Sequence, residues 1–282
     1  MSAARFCVIA AVMLSAAPLG LRGATLEADY QFQNTFASSV NGGTAPDLTV
    51  AATGNGTNTN AFTTDTVYGQ TRTVYAFSNN YGLGAITSGV ISPANYSIVM
   101  DAKLVPLATG SGASPAAKLI DFNNLLADTG LYNLSNALDF FDVPTAVGTS
   151  AQGLTSVDQY AQIVLTRDAA TDPANPVVTA YVGGAEAFSF VDSSDLALIA
   201  APGDPTTQAL HFFMNDNVGI VGDNIDPESQ SGDVARIRLY DGALTADEVA
   251  ALAAANNVPE PASVALLAAG AMVLLGRRRA RG

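Results

Sequence analysis

Between Leu26 and Tyr240 the apolar residues come in short alternating runs, interrupted by glycine, serine, asparagine and proline before any run is long enough for a helix. Leu26 to Phe32, Thr71 to Phe77, Tyr96 to Leu104, Ala117 to Phe122, Tyr160 to Arg167, Val177 to Val182, Ala185 to Phe190, Leu210 to Met214 and Gly232 to Tyr240 read as strands. Many are rich in Val, Ile, Tyr, Phe and Thr, which suit a pleated, half-buried surface. With alternate side chains on opposite faces, such a chain buries its apolar set by packing sheet against sheet. No internal repeat and no dividing linker breaks the region, so a single all-β sandwich is expected.

Local signals refine this. Gly183-Gly184 joins two strand-like runs, and paired glycines permit the positive φ angles of a type I′ hairpin turn. Asn41 to Asn60, Ala108 to Pro115 and Ala169 to Pro176 read as loops. One helix is expected after Thr245. Thr245-Ala246-Asp247-Glu248 fits a capping box, Leu244, Val249 and Leu252 supply an apolar contact, and Asn256-Asn257 before Pro259 ends the helix.

The stretch Gly232-Asp233-Val234-Ala235-Arg236-Ile237-Arg238-Leu239-Tyr240-Asp241-Gly242-Ala243-Leu244-Thr245 resembles the closing strand of LamG-like, concanavalin A-like jelly-roll domains. Tyr160 to Phe190, with Thr166-Arg167-Asp168 and the Tyr181-Val182-Gly183-Gly184 hairpin, resembles that family's central pair, and Ala28-Asp29-Tyr30-Gln31-Phe32 its opening strand. The resemblance implies two antiparallel sheets packed face to face, with the first and last strands adjacent. It also implies that a structural calcium is common. Such folds host lectins, glycosidases, adhesion modules and structural domains, so fold alone leaves function open.

The two ends read as targeting segments. Arg5 followed by the apolar Phe6 to Ala17 fits a secretory signal, with Ala24 as the expected last residue. At the other end come Val258-Pro259-Glu260-Pro261, an apolar run from Ala262 to Gly276, and Arg277-Arg278-Arg279. Pro-Glu-Pro cannot continue a helix, because proline removes a backbone donor and pushes its predecessor to extended geometry. Fifteen apolar residues span only about 22 Å as a helix, short of a ~30 Å hydrocarbon core. The Arg cluster marks a cytoplasmic end. This order resembles the PEP-CTERM sorting tail of Gram-negative bacteria. The resemblance implies processing by an exosortase, a membrane-embedded cysteine transpeptidase, and delivery to the cell exterior. The expected division is residues 1–24 as signal peptide, 25–256 as jelly-roll domain and 257–282 as sorting signal, with membrane contact only through that tail.

Within Thr25 to Val258 there are 24 Asp and Glu against six Lys and Arg, a balance of −18. That excludes nucleic-acid binding through clustered cations and suits divalent cations. Cys7, the only cysteine, lies in the leader, so the mature domain is held without disulfides.

Catalytic chemistry finds little to stand on. A retaining glycosidase needs two carboxylates about 5 Å apart. Before the tail the only glutamates are Glu27, Glu186, Glu228 and Glu248, and none is in a strand-borne Glu-x-Asp-x-Glu arrangement. Asp139 and Asp142 flank Phe140-Phe141, where a turn ending at Pro144 accounts for them. His211 is the only histidine, which rules out a His-rich metal site and is best read as a hydrogen-bonded structural residue. There is no Trp, leaving Tyr68, Tyr75, Tyr81, Tyr132 and Tyr160 as sugar-stacking candidates, for which packing is the plainer role. The densest oxygen cluster follows Leu210 to Met214. Asp216, Asn217, Asp223, Asp226 and Asp233 could supply calcium ligands, although the same residues form ordinary turns. The expectation is a non-catalytic exported protein that binds extracellular polysaccharide or serves as a structural or adhesion component. The competing reading is a divergent glycan-acting hydrolase or lyase.

Overall fold

A computed structural model describes residues 23–40, 42–52, 59–79, 81–107, 116–141, 143, 149–154, 159–199, 208–215 and 228–256. They form β1 (Thr25–Tyr30), β2 (Thr49–Ala52), β3 (Ala61–Val67), β4 (Gln70–Phe77), β5 (Tyr81–Ile86), β6 (Tyr96–Leu104), β7 (Ala116–Asp121) and β8 (Gly130–Leu134). There follow β9 (Ala137–Phe141), β10 (Thr149–Gly153), β11 (Ala161–Asp168), β12 (Val177–Val182), β13 (Ala185–Val191), β14 (Ala209–Phe212), β15 (Gly232–Asp241) and one helix, α1 (Ala246–Asn256). One sheet runs β13-β12-β11-β6-β15-β4-β3 with β1 also paired to β15; the other runs β10-β9-β8-β7-β14-β5-β2.

The expected sandwich is therefore present, and its first and last strands are neighbours. β15 pairs with β6 along one side; on the other, Gly232–Val234 meets β4 and Ile237–Asp241 meets β1. A bulge between Val234 and Arg236 bends the strand where it changes partner. On β6 the alternate residues Tyr96, Ile98, Met100, Ala102 and Leu104 join the core between the sheets. Leu83, Ile120, Leu131, Phe140 and Phe212 meet them from the second sheet. Aromatic pairs add shape, among them Phe77 stacked on Phe213 at 4.2 Å and Phe140 tilted on Phe190 at 5.0 Å.

The core also encloses a charge. Arg167 lies between Tyr96 and Val178 in register and is 1% exposed. Its Nε donates to Asp192 Oδ2 at 2.8 Å, Nη2 to Asp195 Oδ1 at 2.6 Å and Nη1 to the Ala94 carbonyl at 2.7 Å. Asp192 in turn accepts from the Leu196 and Ala197 amides, so one buried arginine stitches the 192–199 loop over the end of the sandwich.

The helix forms as its sequence dictates. The Thr245 hydroxyl accepts from Glu248 N at 3.3 Å, and Glu248 Oε2 accepts from Thr245 N at 2.8 Å. Leu244 and Val249 pack with Val99, Val164, Tyr181 and Tyr240 on the outer face of the first sheet, with Leu252 at the edge.

Several expectations need correction. The region read as a loop from Asn41 to Asn60 contains β2, and the hairpin of β8 and β9 was not anticipated. Asp139 lies inside β9 and is 6% exposed, not in a turn before Pro144. The run expected to extend to Met214 stops at Phe212, because Phe213 turns the chain at φ +60°.

Candidate functional site

Sheet register places two sets of polar side chains on opposite outer faces. On the second sheet, Thr49, Gly84, His211, Asp121, Gly130 and Phe141 form one row across β2, β5, β14, β7, β8 and β9. Lys118, Tyr132 and Asp139 form the next. Lys118 Nζ sits 3.1 Å from Asp121 Oδ2, donates to the Ala127 carbonyl at 2.9 Å and lies 5.4 Å over the Tyr132 ring. Asp121 Oδ1 accepts from the Asn123 and Leu125 amides, so this fully buried ion pair shapes the loop after β7. Gly130 lies beneath it, where a Cβ would come within 2.5 Å of the Ile120 carbonyl oxygen and 3.3 Å of the lysine stem.

The Tyr132 hydroxyl lies 2.7 Å from Asp128 Oδ1 and 3.2 Å from Asn215 Oδ1, and Asn215 Nδ2 donates to Glu228 Oε2 at 3.3 Å. Tyr132 is thus a packing residue, as are Tyr75 and the half-buried Tyr68 and Tyr160. Among the described residues the most exposed aromatic is Phe141, 42% exposed and 5.9 Å from the Tyr132 ring. Its strand is hard to read from sequence, because the Ser135-Asn136 turn that opens it carries no glycine.

His211 corrects another expectation. Among the described residues its buried Nδ1 has no hydrogen-bond partner. Burial pushes its pKa below the ordinary value, and the nearby Asp121 charge only partly opposes this. The four glutamates lie on β1, β13, the approach to β15 and α1, not side by side.

The outer face of the first sheet holds a second network. Asp29 receives a two-pronged bond from Arg236, at 2.6 and 2.8 Å. Burial opposes ionisation of Asp29, but Arg236, Gln31 and Ser39 outweigh it and hold its carboxyl below the usual range. Lys103 bridges Asp65 and Asp233, reaching the latter at 2.9 Å. Beside it, Asp101 Oδ1 accepts from the Tyr68 hydroxyl at 3.0 Å and from Asn256 Nδ2, at the end of α1, at 2.9 Å. Burial raises the Asp101 pKa, with Arg238 the main opposing influence.

Of the five residues offered as calcium ligands, Asp216, Asn217, Asp223 and Asp226 lie outside the described residues. Asp233 is on β15, where calcium would have to share its carboxylate with Lys103. No group of three or more His, Cys, Asp or Glu that could hold a metal occurs among the described residues. Pro259, Glu260, Pro261, Arg277, Arg278, Arg279 and the apolar run between them also lie outside, as does the N-terminal leader as far as Arg22. Among the described residues no helix is long and apolar enough to cross a membrane.

Residues 257–279 match the PEP-CTERM protein-sorting motif. Among solved structures, the chain resembles domain 4 of AbnA, a GH43 extracellular arabinanase from Geobacillus stearothermophilus. The two are 18% identical, with 82% of this chain and 99% of that domain covered at a TM-score of 0.53. It also resembles the binding domain of botulinum neurotoxin DC, at 12% identity and a TM-score of 0.51 over 82% of this chain, spanning 52% of the toxin domain. No curated protein matches the sequence significantly. At such identities the likeness concerns fold alone. The chain thus joins a two-sheet jelly-roll β-sandwich to a carboxy-terminal PEP-CTERM protein-sorting motif.

Proposed function

We propose that this is an exported, non-catalytic protein that an exosortase sorts to the cell exterior or the exopolysaccharide matrix of a Gram-negative bacterium. There its sandwich acts as a glycan-binding or structural component. The observation that carries the reading is the sorting motif at residues 257–279, downstream of the folded domain and opposite a leader with the charge and apolar run of a signal peptide. On this reading residues 1–24 and the tail beyond the Pro-Glu-Pro region are absent from the exported form. Intact-mass measurement on protein from the native host tests that, and recovery of Arg277 to Arg279 on exported material overturns it. Replacing Pro259, Glu260 and Pro261 with alanine extends helical geometry through the cut region, so the protein should stay in the membrane. Unchanged release in an exosortase-positive host counts against the reading.

Glycan binding rests on two further observations. Domain 4 of the arabinanase was solved in complex with arabinotriose. In the present chain Phe141 offers an exposed ring whose apolar face suits the C–H face of a sugar. A glycan array run with and without calcium tests this part, and binding that survives Phe141→Ala removes that residue from the account. Calcium at the Asp216 to Asp226 segment belongs to the same proposal, supported by the oxygen chemistry of those side chains.

A further inference from the structure

The outer face of the first sheet carries a buried polar set whose hydrogen bonding the protein's own groups leave incomplete. On β6, β11 and β15, Val99, Val164 and Tyr240 pack beneath α1. Two residues away on each strand, and so on the same face, stand Asp101, Gln162 and Arg238. Gln162 is opposite Asp101 in register, and β15 borders β6 on its other side. Asp101 is 3% exposed, Gln162 2% and Arg238 5%. Asn256, the last residue of α1, donates from Nδ2 to Asp101 Oδ1 at 2.9 Å, and the Tyr68 hydroxyl donates to the same oxygen at 3.0 Å. The other oxygen, Oδ2, lies 3.5 Å from Arg238 Nη2, near enough to pair charges but without hydrogen-bond geometry. Among the described residues, four buried atoms of this set have no hydrogen-bond partner: Gln162 Nε2 and Oε1, and Arg238 Nε and Nη2.

A buried polar atom without a partner is destabilising, and native proteins keep few of them. Four on one patch point to an occupant that bonds them. Its charge follows from the neighbours. An anion there would lie against Asp101, and a cation against Arg238 and against Arg236, which is opposite Asp101 in register. A neutral molecule meets neither objection. Three of the four atoms donate and one accepts, with Asp101 Oδ2 as a further acceptor beside them, so the occupant must both donate and accept. The four atoms are sealed from bulk solvent, which restricts it to the smallest molecules. Water fits on every count, and a buried water makes about three such bonds.

We propose that Gln162, Asp101 and Arg238 hold a buried water cluster beneath the last turn of α1, which completes the hydrogen bonding of the sheet face there. The test uses the full chain, labelled with nitrogen-15, in detergent micelles. The Gln162 side-chain amide protons and the Arg238 Nε proton should show Overhauser effects to water, with the sign produced by waters that turn with the protein. Tyr68→Phe removes the exchangeable hydroxyl beside Asp101 and should leave these signals in place. Their absence from the parent, or their loss with that hydroxyl, overturns the proposal. A second measurement reads the sign of a stability change. Gln162→Met replaces the amide with an apolar chain of similar length. On a dry patch the exchange removes two unsatisfied atoms and raises the melting temperature. With water bound it takes away that water's partners, and the melting temperature should fall by about 2–4 °C for each hydrogen bond lost. A melting temperature equal to or above that of the parent overturns the water cluster. Should Gln162→Met not fold, the Overhauser signals of the parent and of Tyr68→Phe decide alone.

Discussion

His211 and Asp29 are single side chains whose surroundings make the fold sensitive to acid, each for its own reason. His211 resists protonation in the folded state, chiefly because burial penalises its charge. The unfolded chain therefore takes up a proton first, at about pH 6.5. A group whose folded pKa is depressed contributes stability that is complete above its unfolded pKa and is lost as pH falls through the folded one. Asp29 follows the same sign lower down. The Arg236 fork prevails over burial and keeps its carboxyl depressed, so its contribution fades only below about pH 3.9, the ordinary value. Urea denaturation across pH should show stability declining from about pH 6.5 downward, with a further loss in strong acid. His211→Gln should flatten the upper limb and leave the lower one. An unaltered upper limb would mean that His211 is as easily protonated folded as unfolded.

Among the elements, hairpin turns show what a sequence displays and what it conceals. Among the described residues, three two-residue hairpin turns carry both central residues at positive φ: Tyr68-Gly69 at 49° and 81°, Ser135-Asn136 at 51° and 65°, and Gly183-Gly184 at 60° and 86°. Only the double glycine reads as a turn from sequence. Ser135-Asn136 is the same device made from residues that pay sterically for the conformation, and overlooking it hid β8 and β9 together with Phe141. β3 escaped notice because its Thr-rich sequence reads as polar, and β2 because turn formers surround it. The helix was legible in full, since a capping box and its apolar contacts are local. Arg167 was not legible as a buried anchor, because Asp192 and Asp195 reach it through tertiary structure. The visible turn allows a controlled test. At Gly183 a Cβ meets nothing within 4 Å, so Gly183→Ala bears only the left-handed backbone penalty of about 1–2 kcal/mol. Gly184→Ala bears that penalty and also strikes Ala253 Cβ at 2.7 Å, so α1 must shift. Its melting temperature should fall further than that of Gly183→Ala, at about 2–4 °C for each added kcal/mol. Equal losses would mean that α1 gives way at no cost.

At the scale of the whole molecule, the stretch from Thr25 to Val258 sets 24 acidic residues against six basic ones, and five of the six basic residues are already committed to carboxylates. Arg72, the sixth, donates to Gln70. The surplus negative charge is therefore spread over the domain with only Arg72 outside a carboxylate pair, and it repels itself in the compact state. Raising ionic strength from about 0.01 to 0.15 M shortens the Debye length from about 30 to 8 Å. That screens the long-range repulsion far more than the buried pairs, so the melting temperature should rise with sodium chloride. A calcium effect has to be separated from this general one, which matching the ionic strength achieves. If the Asp216 to Asp226 segment binds calcium in the folded state alone, a hundredfold excess over Kd adds about 2.7 kcal/mol beyond screening. Melting should then shift several degrees further in calcium than in sodium chloride of equal ionic strength. Magnesium, which demands a tight octahedron and sheds its water reluctantly, should reproduce only the screening part. Asp216→Ala or Asp223→Ala should abolish the excess and keep the salt response. Coincident curves in calcium, magnesium and sodium at matched ionic strength would rule out a calcium site there and leave charge screening as the whole effect.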